Sequence, residues 1–232
     1  MMVNTVGSYE NKHWIKEWSV FKNRTGVSVL TPVQQSVLIG SLLGDGTMRI
    51  GKRAVHANFK VDHGLKQKEY VFWKYEILKN FVTTPPKLSY RTSANGRRYK
   101  KSWWFRTIRH PLFTDLYYEY YTTEGYRCGR KIVPIGIYNS IDPLALAVWI
   151  MDDGSYNRSK LDISTYSFSL QEVEFLCAIL QKRFRISMSY HRDRDKGYRM
   201  YASISETKKL VDLIRPYIIP KMMYKTGSII TP

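Results

Sequence analysis

The sequence predicts an α+β protein in which an αββαββα unit is written twice, and three observations point there. The first is a helix signature that occurs twice. Thr31-Pro32 opens the apolar stretch 33–43, which closes on Gly44-Asp45-Gly46, and Asp142-Pro143 opens 144–151, which closes on Asp152-Asp153-Gly154. In both, a capping side chain precedes a proline at the first helical position, and a glycine stands where the helix should stop. The second is spacing: Asp45 and Asp153 lie 108 residues apart in a chain of 232, so the period is about half the chain. The third is that strand-like alternation and amphipathic stretches follow each signature in the same order.

The elements justify themselves one by one. After Asp45, runs 47–50 and 55–61 alternate as strands around Gly51-Lys52-Arg53. A helix over 66–81 follows, with Tyr70, Trp73, Ile77 and Phe81 at helical spacing. Strands 88–93 and 98–107 flank Asn95-Gly96, a strong hairpin turn, and a helix over 111–121 ends the half. After Asp153 the pattern gives a strand over 161–165 and a helix over 170–184 with Val173, Leu176, Cys177 and Leu180 on one face. A hairpin of 186–191 and 199–205 then turns at Asp195-Lys196-Gly197, and a helix over 208–214 stops before Pro216. The expected organisation is an extension at 1–30, packing one short helix through Trp14 and Trp18, a first repeat at 31–137 and a second at 138–232.

Composition narrows the partner. A chain that is 44% hydrophobic and 14% aromatic can bury a core, which excludes wholesale disorder. With 37 Lys+Arg against 19 Asp+Glu, the formal charge is +18 and the pI near 9.8. Such a surplus favours a polyanion: nucleic acid, an anionic membrane or a heparin-like sugar. No apolar run approaches the ~18 residues needed to span a bilayer, and the first residues carry no secretion or lipidation signal. Two cysteines, Cys128 and Cys177, make no disulfide framework, and no His/Cys set has zinc spacing. An intracellular protein meeting DNA or RNA is the expectation.

The strands say which surface would do this. Alternation places Val55, Ala57, Phe59 and Val61 on one face and His56, Asn58 and Lys60 on the other. Met48 and Ile50 oppose Thr47 and Arg49; Leu88 and Tyr90 oppose Ser89, Arg91 and Ser93; Tyr99, Trp103 and Phe105 oppose Arg98, Lys100, Ser102 and Arg106. In the second half, Ile186, Met188 and Tyr190 oppose Ser187, Ser189 and His191, and Met200, Ala202 and Ile204 oppose Arg199, Tyr201 and Ser203. These are antiparallel sheets with one buried and one open face. An ordinary solvated face mixes both charge signs, whereas these six polar faces hold no Asp or Glu. Arg and Lys mixed with Ser, Asn and Tyr suit phosphate neutralisation and base-edge hydrogen bonds. Ribbon tips add Lys52, Arg53, Arg97, Arg98, Arg192, Arg194 and Lys196. At ~3.3 Å per residue a strand of about 8 residues follows roughly 8 base pairs, so two sheets end to end follow about 16. Double-stranded DNA with a long asymmetric site is the ligand this surface fits.

The paired acids suggest chemistry. A helix C-terminus carries partial negative charge, so a carboxylate in the last turn is disfavoured, and its recurrence at equivalent places argues for a cation there. Ser36, Gly40 and Gly44 recur every four residues on the first helix, and Ala145, Val148 and Asp152 line the second. Small residues so spaced let two helices pack closely and parallel, bringing Asp45 and Asp153 together between the sheets. Carboxylates with open coordination positions are Mg²⁺ ligands, completed by water and substrate phosphate. Lys131 and Lys225, each following the last helix of its half, are candidates to steady a phosphate or help activate water.

The stretches Leu38-Ile39-Gly40-Ser41-Leu42-Leu43-Gly44-Asp45-Gly46 and Leu146-Ala147-Val148-Trp149-Ile150-Met151-Asp152-Asp153-Gly154 resemble the paired motifs of the LAGLIDADG homing endonucleases. More narrowly, the chain is similar to single-chain, two-motif enzymes of the mitochondrial omega-intron type, through Ser167-Phe168 with Glu172-Val173-Glu174 and through 216–220 with Met222-Met223-Tyr224-Lys225. The resemblance covers nearly all of the chain after residue 30. It implies a pseudo-twofold monomer with two saddle-shaped sheets astride DNA, the motif helices at the interface, and Mg²⁺-dependent double-strand cleavage leaving short 3′ overhangs. Asp45 and Asp153, with Gly44 and Asp152 beside them, match the metal site, and Lys131 and Lys225 match the active-site lysines. Because Gly44 stands where the second motif has Asp152, the Asp152 side chain is expected to be dispensable. Mn²⁺ is expected to substitute for Mg²⁺, and Ca²⁺ to support binding without cleavage. The expected location is with the host DNA, in an organelle matrix or bacterial cytoplasm, with no membrane partner. An RNA-binding intron maturase of the same fold and a catalytically silent DNA-binding regulator are the alternatives.

Overall fold

A computed structural model describes residues 28–123 and 129–227; the expected helix around Trp14 and Trp18, and Cys128, lie outside them. The two signature helices form as expected. α1 (Pro32–Leu43) starts at a capping box in which the Thr31 hydroxyl accepts from the Gln34 N–H and the Gln34 side chain accepts from the Thr31 N–H. A later helix, α5 (Pro143–Asp153), starts where the Asp142 carboxylate accepts from the Ala145 N–H at 2.7 Å. The helices run side by side and parallel: the Ser36 hydroxyl donates to Asp142 at their starts, and Gly44 lies on Asp152 at their ends. Midway, Gly40 meets Ala145 and Val148 so closely that a Cβ there would stand 2.2 Å from the Ala145 carbonyl oxygen. The small-residue stripe is therefore the contact itself, and the bulky Val148 sits in the space that Gly40 leaves.

Around this pair the chain builds two equivalent sheets. In the first half come β1 (Thr47–Arg49), β2 (Asn58–Gly64), α2 (Lys68–Leu78), β3 (Lys87–Thr92), β4 (Arg98–Arg106) and α3 (Pro111–Tyr120). A short α4 (Ile137–Ser140) precedes α5 and spans the point where the sequence was divided into repeats. The second half gives β5 (Gly154–Asn157), β6 (Lys160–Ser164), α6 (Leu170–Phe184), β7 (Met188–Arg192), β8 (Tyr198–Ala202) and α7 (Ile204–Ile214), then a 3₁₀ turn at Pro220–Thr226. The antiparallel orders β1-β2-β4-β3 and β5-β6-β8-β7 are the same order written twice. Inward residues of the first sheet, Met48, Phe59, Val61 and Phe105, share a core with Tyr70, Val71 and Leu78; Leu161, Ile163, Met200 and Ala202 do so with Val173, Leu176, Leu180 and Leu210. This pseudo-symmetric α+β fold is the one the repeats imply.

The departures have local causes. Residues 55–57 are not strand: the His110 N–H donates to the Ala57 carbonyl, and the Ala57 N–H donates to Thr114 Oγ1 on α3. β2 therefore begins at Asn58 and runs on to Gly64. The αββαββα repeat implies a second strand ahead of 161–165 without locating it; β5 fills that place and pairs with β6 from Gly154 to Asn157. β8 stops at Ala202 because Ser203 caps α7, accepting from the Glu206 N–H, so α7 begins at Ile204 rather than near 208.

Candidate active site and nucleic-acid interface

Both acids emerge where α1 and α5 end. Asp45 follows the Gly44 cap of α1 with its side chain half exposed, and Asp153 closes α5. Each end carries one lysine on its carbonyl oxygens. Lys131 enters on a segment whose Ile132 N–H donates to the Tyr120 carbonyl, and its Nζ donates to the Gly44 carbonyl. Lys225 comes from the 3₁₀ turn and its Nζ donates to the carbonyls of Gly154 at 2.7 Å and Asp152 at 3.2 Å. Burial pulls both ammonium groups below the usual lysine range, against the opposing attraction of the carboxylates. The four residues expected to cluster do cluster, as do Gly44 and Asp152.

The carboxylate of Asp152 has a different occupation from Asp45 and Asp153. Its Oδ1 accepts from the Tyr70 hydroxyl at 2.7 Å and from Lys74 Nζ at 2.8 Å, and its Oδ2 accepts from the Asp45 N–H at 3.1 Å. Lys74 is wholly buried, and burial lowers its pKa against the pull of Asp152. His63, also buried, lies between the acids, with Nδ1 3.5 Å from Asp45 and Nε2 3.7 Å from Asp152. Sequence reasoning missed this group of Tyr70, Lys74 and His63. Tyr70 and Lys74 are four apart on a helix face, and extending the 55–61 alternation two residues puts His63 on the buried side.

Electrostatics separate the two acids. His63, Lys74 and Lys131 hold the Asp45 carboxyl below its usual range despite burial. Burial raises the Asp153 carboxyl to about 8, with the charges of Asp45 and Asp152 adding to the effect. Two carboxylates brought together at the helix ends, with Asp45 half open to solvent, are hard oxygen donors that fit Mg²⁺. Among the described residues no three His, Cys, Asp or Glu side chains make a closed cage, so an ion here would complete its shell with water and phosphate.

The sheet faces follow the sequence in most places. Arg49, Asn58, Lys60, Arg91 and Arg106 lie on the outer face of the first sheet, and His191, Arg199 and Tyr201 on that of the second. Lys52, Arg53, Arg97, Arg194 and Lys196 are exposed at the tips. Five placements are corrected. His56 is buried, its Nδ1 3.3 Å from Thr114 Oγ1, because residues 55–57 turn in against α3. Ser203 is the cap of α7 and belongs to no strand. Arg98 and Lys100 lie on the other side of their ribbon: the register passes from Ser89↔Ser102 to Tyr90↔Lys100, leaving Lys101 as a bulge that reverses the phase of β4. Arg98 accordingly stacks on Tyr90, 4.3 Å from the ring centroid, and Tyr99 takes the outer face opposite Arg91.

Arg192 pairs with Tyr198, on the helix side with Tyr190, whose hydroxyl donates to Glu174 of α6. Nor are the outer faces free of acid. Asp62 lies on the first, 2.7 Å from Lys60 Nζ and opposite the half-exposed Trp104, and Asp162 on the second, beside Arg199. Both were missed because the expected strands ended at Val61 and were not resolved into faces around 161.

Comparison with known proteins agrees with this geometry. Residues 35–210 match the family model described as the LAGLIDADG DNA endonuclease family. The chain is 32% identical over 196 residues to cytochrome b mRNA maturase bI2 of Debaryomyces hansenii, covering 83% of this chain and 72% of that protein. It is 30% identical over 221 residues to the probable intron-encoded endonuclease 1 of Wickerhamomyces canadensis, covering 92% and 88%. The solved structure of the homing endonuclease I-WcaI bound to its DNA recognition sequence superposes with a TM-score of 0.78 at 27% identity, over 97% of this chain and 98% of that one. With two motif helices packed through Gly40, two sheets of one order and this breadth of match, the chain belongs to the LAGLIDADG DNA endonuclease family.

Proposed function

We propose that the protein is a site-specific homing endonuclease that cuts both strands of a long, asymmetric DNA target and leaves short 3′ overhangs. The observation that supports this best is the convergence of Asp45 and Asp153 at the ends of two parallel helices, each end with a lysine on its carbonyls. Flanking that point are two outer sheet faces, the first carrying Arg49, Lys60, Arg91 and Arg106 and the second His191, Arg199 and Tyr201. The relative I-WcaI is described as bound to its DNA recognition sequence, which supports duplex DNA as the ligand here.

The chain's own groups have separable tasks. Arg49, Lys60, Arg91, Arg106, His191, Arg199 and Tyr201 bind and orient the duplex, with the exposed tip residues on phosphates. Arg199 is held for this, its guanidinium donating to Ser155 Oγ and the Tyr166 hydroxyl. Asp45 and Asp153, with the carbonyls of Gly44 and Asp152 beside them, would hold Mg²⁺. When bound, such ions supply charge stabilisation on the attacking and leaving oxygens. Lys131 and Lys225 would each meet the scissile phosphate of one strand, and their lowered pKa values would ease proton exchange with a water. Tyr70, Lys74 and Asp152 fix the Asp45 backbone.

One test uses a library of duplex sites. Mg²⁺ or Mn²⁺ should give sequence-specific double-strand cuts, and Ca²⁺ binding without cutting. Tight duplex binding with no Mg²⁺-dependent cleavage would replace the reading with a catalytically silent regulator. The identity to a cytochrome b mRNA maturase motivates a second reading, an RNA-binding splicing cofactor. Preference for structured intron RNA over any duplex would favour it.

A further inference from the structure

Glu172 was part of the pattern by which the sequence resembles its family, yet nothing in the site above uses it. It is the third residue of α6, in the second repeat, and closes a capping box with Ser169. A capping box needs only one acceptor contact from this side chain, here with the Ser169 N–H at 2.6 Å. The carboxylate does more. Its Oε2 accepts from Arg130 Nη1 at 2.8 Å, and its Oε1 accepts from the Val133 N–H at 3.1 Å. Arg130 and Val133 bracket Lys131, one residue before it and two after. On its other side the same segment is laddered to the end of α3, through Thr122 N–H to Arg130 O and Ile132 N–H to Tyr120 O. Lys131 therefore projects from a backbone clamped on both sides, and its Nζ reaches the Gly44 carbonyl at the end of α1.

We infer that Glu172 is a positioning residue for Lys131, by which the second repeat sets the lysine that sits on the Gly44 carbonyl. The pair Arg130–Glu172 is largely shielded, with side-chain exposures of 29% and 14%, so it is a geometric constraint rather than a loose surface ion pair. Glu172 touches neither acid nor Lys225, so its loss should fall on one strand of the target alone. Displacing a catalytic group by ~1 Å costs up to about a hundredfold in rate. The inference rests on the endonuclease reading, and the experiment separates the two.

The test follows each strand of a double-labelled cognate duplex in Mg²⁺, for the unaltered chain, Glu172→Gln, Ser169→Ala and Lys131→Met. Failure of the unaltered chain to cut would defeat the endonuclease reading itself. If it cuts, Glu172→Gln should slow one strand about tenfold or more, leave the other and the affinity within about twofold, and so accumulate nicked DNA. Glutamine can still complete the cap, and Ser169→Ala, which weakens the cap without touching 130–133, should lower stability with no strand bias. Adding Glu172→Gln to Lys131→Met should slow that strand no further. Equal slowing of both strands, a rate indistinguishable from the unaltered chain, or a fully additive double variant would overturn the inference.

Discussion

Asp45 and Asp153 occupy the same place on two copies of one helix, yet their surroundings differ. Asp45 has its N–H held by the Asp152 carboxylate, a buried imidazole near its side chain, and Lys74 behind them. Among the described residues Asp153 has no such hydrogen-bonded shell; burial and two neighbouring acids push its carboxyl up to about 8, against the pull of Lys131 and Lys225. The difference traces to one position at which the two motifs carry different residues. Gly44 and Asp152 are equivalent positions in contact with each other, and a Cβ on Gly44 would stand 2.5 Å from that of Asp152. Only one half can carry a side chain there. Once it is an aspartate, its buried charge requires a partner, and the first half provides Lys74 and Tyr70. Duplicated halves joined in one chain are free to specialise in this way, which two identical subunits are not.

Removing Lys74 should break that asymmetry most severely. Lys74→Met leaves the Asp152 carboxylate buried with one partner fewer, and losing one member of a buried pair costs about 3–5 kcal/mol. A urea titration should show a midpoint lowered accordingly. Restoring an apolar site with Lys74→Met and Asp152→Leu together should recover most of the stability, because neither charge then remains to be solvated. Cleavage by that double variant, which lacks the acceptor for the Asp45 N–H, should remain impaired on one strand. A Lys74→Met protein as stable as the original would mean that the Lys74–Asp152 pair contributes little to the fold, so the shell around Asp45 is weaker than its hydrogen bonds imply.

A smaller effect sharpens the contrast between the two sides of the first sheet. Arg91 lies on the outer face, whereas the bulge at Lys101 turns Arg98 onto Tyr90. Arg91→Ala should weaken duplex binding and reduce the slope of log K against log salt by about 1. Arg98→Ala should change that slope less. Titrations over a range of salt would reveal the opposite order if the ribbon's phase were that of simple alternation.

What could be read from the sequence depended on how local the determinant was. α1 and α5 were legible to the residue because proline, cap and Asp-Gly stop all lie within one stretch. So were the interhelical glycines, whose spacing states their packing. β4 was misread because a bulge depends on the partner strand's register, which alternation within one strand cannot reveal. His56 was misread for a related reason, since its segment answers to Thr114 nearly sixty residues away. Ser203 was legible and overlooked: Ser203 and Glu206 repeat the Ser-x-x-Glu pattern of Ser169 and Glu172. In the site, the acids and lysines could be named from position, but the role of Asp152 could not. Its expected dispensability came from comparing two motifs, while its hydrogen bonds reach Tyr70 and Lys74 in the other half of the chain.

The central claim is that Asp45 and Asp153 act as a pair on the two strands of one duplex, and replacing each in turn tests it most directly. Asp45→Asn and Asp153→Asn, assayed with cognate duplex in Mg²⁺ beside binding in Ca²⁺, should each bind within about threefold of the original and yield no double-strand break, a large loss at unchanged affinity. Efficient cutting of both strands by either variant would contradict the account.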